Sequence, residues 1–240
     1  MQAELQKYIR EGKMFYDVTY VLVLIGAGIS LLASLNVNST FAKYSKVGNS
    51  KNITAERAAE AILKASGIND VGIERIGGNL TDHYSPKEKV LRLSDSVYGS
   101  NSVAAIGVAA HECGHAIQHK VGYGPLKLRS AAVPIANIGS RLSWPIIIAG
   151  LLLGMMGLAE VGIVLFIFVV LFQLITLPVE FNASGRALKV LEAQGMLAGG
   201  ELAGAKKVLS AAALTYVAAL FTAILQLLRM ILIVKGGNRR

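Results

Sequence analysis

Two histidines four residues apart, with a glutamate directly after the first, offer the most specific chemistry in the chain: His111-Glu112-Cys113-Gly114-His115. Both flanks, residues 102–110 and 116–119, read as helix. On a helix, positions four apart stack one turn above each other, so His111 and His115 can aim two imidazoles at one ion. Two neutral nitrogens at roughly 2.0–2.1 Å suit zinc, which in catalytic sites keeps a position open for water. Glu112 stands where a general base for that water is needed. The competing reading is two surface histidines on an ordinary helix. Five constrained positions in a helical context favour the metal site. Cys113 points off the histidine face and reads as a small helix residue; as the single cysteine it excludes an intrachain disulfide framework.

A third ligand is needed. His119 continues the helical series, but eight residues rise about 12 Å, too far for His111 and His119 to reach one ion. Glu180 begins a polar segment straight after an apolar run, where an idle charge is costly. The alternative for Glu180 is an acid favoured at a helix N-terminus by the dipole. The expected set is therefore one zinc on His111, His115 and Glu180, and the expected chemistry is peptide-bond hydrolysis. Glu112 takes the water's proton and later delivers it to the leaving amine.

The elements that must position these groups belong to two classes. The 240 residues are 53% hydrophobic, with a mean hydropathy of +0.52, more apolar than a soluble domain of this size needs. The excess lies in runs, and spans are expected at 18–35, 142–158, 161–179 and 208–234. A tight hairpin turn is expected at Ala159-Glu160, and Pro178 is expected to end or kink the returning helix. Residues 1–17 read as a polar N-terminal segment, 36–141 as the catalytic domain, and 180–207 as the third-ligand helix and a linker. Within 36–141, Thr54 is placed to N-cap a helix reaching Ser66, with Gly67 past its end. Strands are expected over 71–76, 79–84 and 89–94, the last two joined by Ser85-Pro86-Lys87-Glu88. The motif helix follows over 102–119. The fold class is α+β: short strands and the motif helix on about four transmembrane helices.

The formal charge is +9, from 24 Lys+Arg and 15 Asp+Glu. The basic residues flank apolar runs, and no Arg-rich helix or aromatic RNA-binding motif is present. A lipid bilayer, not nucleic acid, is the expected partner, besides a peptide or membrane-protein substrate. No protein partner can be named. Four spans leave both termini on one side. Seventeen of the Lys and Arg fall on the catalytic side against seven on the other, which favours a cytoplasmic active site. The apolar part of the motif helix, 103–110, is too short to cross a bilayer, so the site is expected beside the membrane. A non-catalytic zinc-binding scaffold or adaptor is the alternative function. Glu112 argues against it, since a structural site needs no base and usually has four protein ligands.

Several stretches together are more specific than the motif alone: STFAKYSK at 39–46, LTDHY at 80–84, AAHECGHAIQ at 109–118, PLKLRS at 125–130 and LPVEFNAS at 177–184. Through them the chain resembles the YugP-like family of neutral zinc metallopeptidases of bacterial membranes over almost all of 15–235. It is more distantly similar to the HtpX-like quality-control proteases and the CAAX prenyl endopeptidases. The resemblance implies a small gluzincin-type zinc peptidase domain held on membrane helices, multi-pass in the bacterial inner membrane. Glu180-Phe181-Asn182-Ala183-Ser184 resembles the E-x-x-A-D element of membrane gluzincins, in which the Glu binds zinc and the residue four later supports a histidine ligand. Ser184 stands where an Asp is usual; a hydroxyl can accept a hydrogen bond there but supplies no carboxylate. Asn79-Leu80-Thr81-Asp82 resembles the Asn-Ala-type edge strand on which a peptide adds as a further strand. That reading makes Asn79, Leu80 and Thr81 substrate-binding, and makes His83 and Tyr84 candidate donors to the oxyanion of the tetrahedral intermediate. Packing of a hairpin end accounts for His83 and Tyr84 equally well. Asn182, Arg186 and Tyr216 are further donor candidates.

Overall fold

The computed structural model describes residues 19–237. The expected polar segment 1–17 and the first residue of the first expected span, Val18, lie outside them. The described chain is mostly helical, with one small sheet. It divides into two compact units. One comprises Leu32–Ala131 and Leu174–Val217; the other comprises the described residues up to Leu31, Ala132–Gln173, and those from Ala218 onward.

The first of these units holds the sheet and the motif helix. Helix α1 (Tyr20–Tyr44) leads to α2 (Ala55–Ala65). Thr54 stands at the N-cap of α2 with extended backbone, but it makes no capping bond. Its hydroxyl instead donates to Oε1 of Glu56 (2.6 Å), whose Oε2 accepts the Gly99 N–H (2.8 Å). Gly67, at φ +68°, ends the helix as expected. The buried stripe Ala55, Ala58, Ala59, Ile62 and Leu63 packs on the motif helix, α3 (Val103–Lys120). Ser102 caps α3, its hydroxyl oxygen accepting the Ala105 N–H (3.2 Å).

Strands β1 (Gly72–Ile76), β2 (His83–Ser85) and β3 (Val90–Ser94) lie in the order β1-β3-β2. β1 runs parallel to β3 and β2 antiparallel to it. Central β3 sends Leu91 and Leu93 into a core shared with Ile62, Ile106, Leu191 and Leu197. The strand expected over 79–84 forms only at its end. Gly78 (φ +108°) and Leu80 (φ +54°) turn the chain in the left-handed region. The Asp82 carboxylate accepts both the N–H and the hydroxyl of Ser94 (each 2.8 Å), a bond a ladder partner would otherwise make. Asn79, Leu80 and Thr81 therefore lie in a bend before the edge strand.

Helices α4 (Gly124–Leu152), α5 (Met156–Ala193) and α6 (Gly199–Gly237) complete the chain. With α1 they are four helices long and apolar enough to cross a membrane. The hairpin turn falls at residues 153–155, not at Glu160, which is inside α5. Gly154 supplies a left-handed φ of +69°, and the Met155 N–H closes on the Gly150 carbonyl (2.8 Å), a glycine helix stop. Ala159 is spent on packing: a Cβ on Gly150 would stand 2.5 Å from its backbone nitrogen. Glycine at such a point lets two helix backbones touch. α5 runs through Pro178, so the third-ligand helix is not a separate element. Residues 199–207, expected as linker, form the start of α6. In the second unit the Arg229 guanidinium lies over the rings of Tyr20 (4.3 Å) and Trp144 (5.0 Å), and its Nε donates to the Thr19 hydroxyl (3.3 Å).

Candidate metal centre

Helix α3 turns Cys113 inward and His111 and His115 outward. The Cys113 thiol is fully buried and donates to the Ala59 carbonyl (3.7 Å). At Gly114 the motif helix has no side chain, and α5 lies against it: a Cβ at Gly114 would overlap the Ala183 carbonyl oxygen. This contact brings Glu180 and Ser184, one helical turn apart on α5, to the two histidines.

The three groups converge on one point. Oε2 of Glu180 lies 3.2 Å from Nε2 of His111 and 3.5 Å from Nε2 of His115. One ligand atom from each residue falls within 4.8 Å of the other two. The far nitrogens are also held. Nδ1 of His111 lies 3.1 Å from the Ser184 hydroxyl, and Nδ1 of His115 lies 3.1 Å from Oε1 of Gln118. Gln118 is fully buried, and its amide nitrogen donates to the Val179 carbonyl (2.8 Å) and to Oδ1 of Asn182 (3.0 Å). The amide orientation is thus fixed, so Oε1 accepts a proton from Nδ1 of His115. In the neutral imidazole the lone pair then lies on Nε2, where an ion can take it; in the protonated ring the same atom donates to Glu180.

Glu180 is 2% exposed. Its second oxygen, Oε1, is paired with Nη1 of Arg129 (3.1 Å). Glu180 therefore presents a single oxygen, Oε2, to the histidines. Burial pulls the His115 imidazole down, but the Glu180 hydrogen bond and the charges of Glu112 and Glu180 outweigh it, and His115 titrates above its ordinary value. The pocket thus favours positive charge. Two imidazole lone pairs and one carboxylate oxygen are the donor set of a catalytic zinc site, and the residues fit that ion.

Glu112 is 9% exposed, and its Oε2 accepts the backbone N–H of Tyr84 on edge strand β2 (3.0 Å). The structure therefore gathers His111, Glu112, His115, Glu180 and Ser184 in one place. Tyr84 reaches it through the main chain, while its hydroxyl is engaged with Nδ1 of His119 (2.9 Å). The His83 ring meets the Thr81 carbonyl (3.0 Å). Asn182 and Arg186 are tied to each other (2.7 Å) behind Gln118. Two residues of the site were not anticipated. Gln118 had a readable signal, three positions after His115 on the same helix face. Arg129 had none, because it arrives from another helix.

Residues 19–235 match the family described as "Putative neutral zinc metallopeptidase". The chain belongs to this family. A curated relative, "Putative membrane protease YugP" of Bacillus subtilis (strain 168), is 46% identical over 217 residues, covering 90% of this chain and 96% of the relative. No solved structure gives a significant match. The family is one of zinc peptidases, and the three converging ligand atoms lie in this chain at His111, His115 and Glu180.

Proposed function

We propose that this chain is a membrane-held zinc endopeptidase with one zinc ion on His111, His115 and Glu180 and with Glu112 as its general base. The observation that carries the reading is the convergence of both Nε2 atoms and one Glu180 oxygen beside a second, nearly buried carboxylate. A zinc ion held there supplies Lewis acidity toward a peptide carbonyl and lowers the pKa of a water. The chain's own groups do the rest. The Tyr84 N–H fixes Oε2 of Glu112, leaving Oε1 to accept a proton from the attacking water and return it to the leaving amine. Gln118 and Ser184 keep the imidazoles aimed.

The substrates we infer are peptide bonds of membrane proteins close to the bilayer, in quality control or processing, because the helix that carries Glu180 also carries an apolar run. The charge distribution supports an inner-membrane protein with its site on the cytoplasmic side. The test uses wild type and Glu112→Gln purified in detergent, each assayed for bound zinc and for cleavage of an unfolded membrane protein. The expected result is one zinc in both and chelator-sensitive cleavage by wild type alone, with a loss of about a hundredfold or more in the variant. Zinc in both with no cleavage by either favours a scaffold. Absence of zinc from both overturns the site.

A further inference from the structure

A second concave feature lies between the end of α1 and the start of α6, both within the unit that holds the metal centre. Its volume is about 520 Å³. The two helices meet where α6 has no side chain: a Cβ on Gly204 would stand 2.7 Å from the Tyr44 ring. Lys43, Lys206 and Lys207 all line the cleft. Among the described residues none of the three forms an ion pair. Lys43 has only the ring of its neighbour Tyr44, 5.6 Å away. The acid nearest in sequence, Glu201, is turned elsewhere, with its Oε1 on the Ser50 N–H (2.7 Å). Three ammonium groups thus share one cavity with no counter-charge among the described residues, and such a concentration of field calls for an anion.

The rest of the lining says which anion. Thr40 and Ser210 add hydroxyls to the polar end, while Ala211 and Leu214 continue it as an apolar floor. One turn from the lining residue Asn36 stands Leu32, 67% exposed; Leu214 is 50% and Val217 39% exposed. The polarity therefore falls along both helices in the same direction. In the sequence the change is abrupt: uncharged residues run up to Ala42, directly before Lys43, on α1 and resume straight after Lys207 on α6. A small inorganic anion would use the lysines alone. An amphiphile with an anionic head uses the lysines, the hydroxyls and the apolar continuation together.

We propose that this cleft binds the headgroup of an anionic phospholipid. Its phosphodiester sits among Lys43, Lys206 and Lys207, and an acyl chain lies along Leu32, Leu214 and Val217. Nothing in this depends on hydrolysis at the metal centre.

The full chain in neutral detergent is offered phosphatidylglycerol and phosphatidylcholine in equal amounts, and the retained lipid is counted by native mass spectrometry. Thermal unfolding is followed in parallel with each lipid and with inorganic phosphate. Wild type is expected to retain phosphatidylglycerol over phosphatidylcholine by about tenfold or more, and to gain melting temperature with phosphatidylglycerol only. The triple variant K43Q/K206Q/K207Q is expected to lose the preference, and K43R/K206R/K207R to keep it. The control K46Q/K51Q/K64Q, with the same charge change outside the cleft, also keeps it. Equal retention of the two lipids by wild type overturns the proposal by itself, whether or not the variants fold. So does an undiminished preference in K43Q/K206Q/K207Q, or stabilisation by inorganic phosphate equal to that by the lipid.

Discussion

Gly114 has the backbone of Ala183 resting on it, with no room for even a methyl group between the motif helix and the helix that supplies Glu180. The second variable position of the motif is therefore not free in this chain. Its emptiness sets the distance between the two helices, and that distance sets whether Glu180 Oε2 can lie 3.2 Å from His111. Gly114→Ala must push α5 away against a close-packed core. The expected outcome is loss of bound zinc together with about 1–3 kcal/mol of stability. Metal analysis and a denaturation curve on the same sample check it; a variant that keeps full zinc refutes the spacer role.

Arg129 keeps the second Glu180 oxygen occupied (3.1 Å). Arg129→Gln leaves that oxygen of a buried carboxylate without its charged partner and frees the group to rotate. Zinc affinity is expected to fall about ten- to hundredfold, the usual effect of removing a group that orients a ligand. Arg129→Lys, which restores a point charge without the planar fork, should recover part of the loss. Competition against a chromophoric chelator measures both.

Cys113 is chemically silent in the folded chain. Burial, with the Glu112 charge next to it, pushes its thiol far above the ordinary cysteine range, and its sulfur faces the Ala59 carbonyl. A maleimide or an aromatic disulfide reagent is expected to leave it unmodified under native conditions and to label it fully in denaturant. The labelling rate then reports opening of the α2–α3 core. Fast labelling of native protein would show that this packing is wrong.

Glu56 ties the start of α2 to the loop before the motif helix through Thr54 and Gly99. Burial disfavours its charge, but the bonds from Thr54, its own N–H and Gly99 prevail, and its carboxyl is held below the ordinary value of 4.5. A depressed folded-state pKa stabilises above the unfolded value, and that stability is lost as pH falls through the folded one. Relative to Glu56→Gln, wild type should be more stable near neutrality by under about 1 kcal/mol. The advantage should fade as pH falls below the ordinary glutamate value of 4.5 and be gone once it passes the lower folded one. Paired melting curves across that range decide it.

Much of the site was legible because its determinants are local. The spacing of His111 and His115 is a property of one helix, whose expected start at residue 102 is where Ser102 caps it. Glu180 stood out because a charge at the end of an apolar run demands a partner. Glu160 is the conspicuous charge between the two apolar runs, but the hairpin break needs a left-handed residue, and Gly154 provides it. The strand expected over 79–84 is shorter in the structure because the Asp82 side chain takes the backbone bond that would extend it. Arg129 and the far side of the Gln118 amide could not be read at all, since both depend on which helix lies opposite.

The Gln118 amide is engaged at both ends at once, its nitrogen on the Val179 carbonyl and the Asn182 side chain of α5 and its oxygen on His115. It acts as a latch between His115 and the turn of α5 that carries Glu180, the two helices from which the proposed ligands come. If α5 withdraws, Glu180 departs and the same movement releases the amide that dictates the tautomer of His115. If the proposed ligands hold zinc, metal loss should therefore be all-or-none, with no long-lived two-coordinate state on the way.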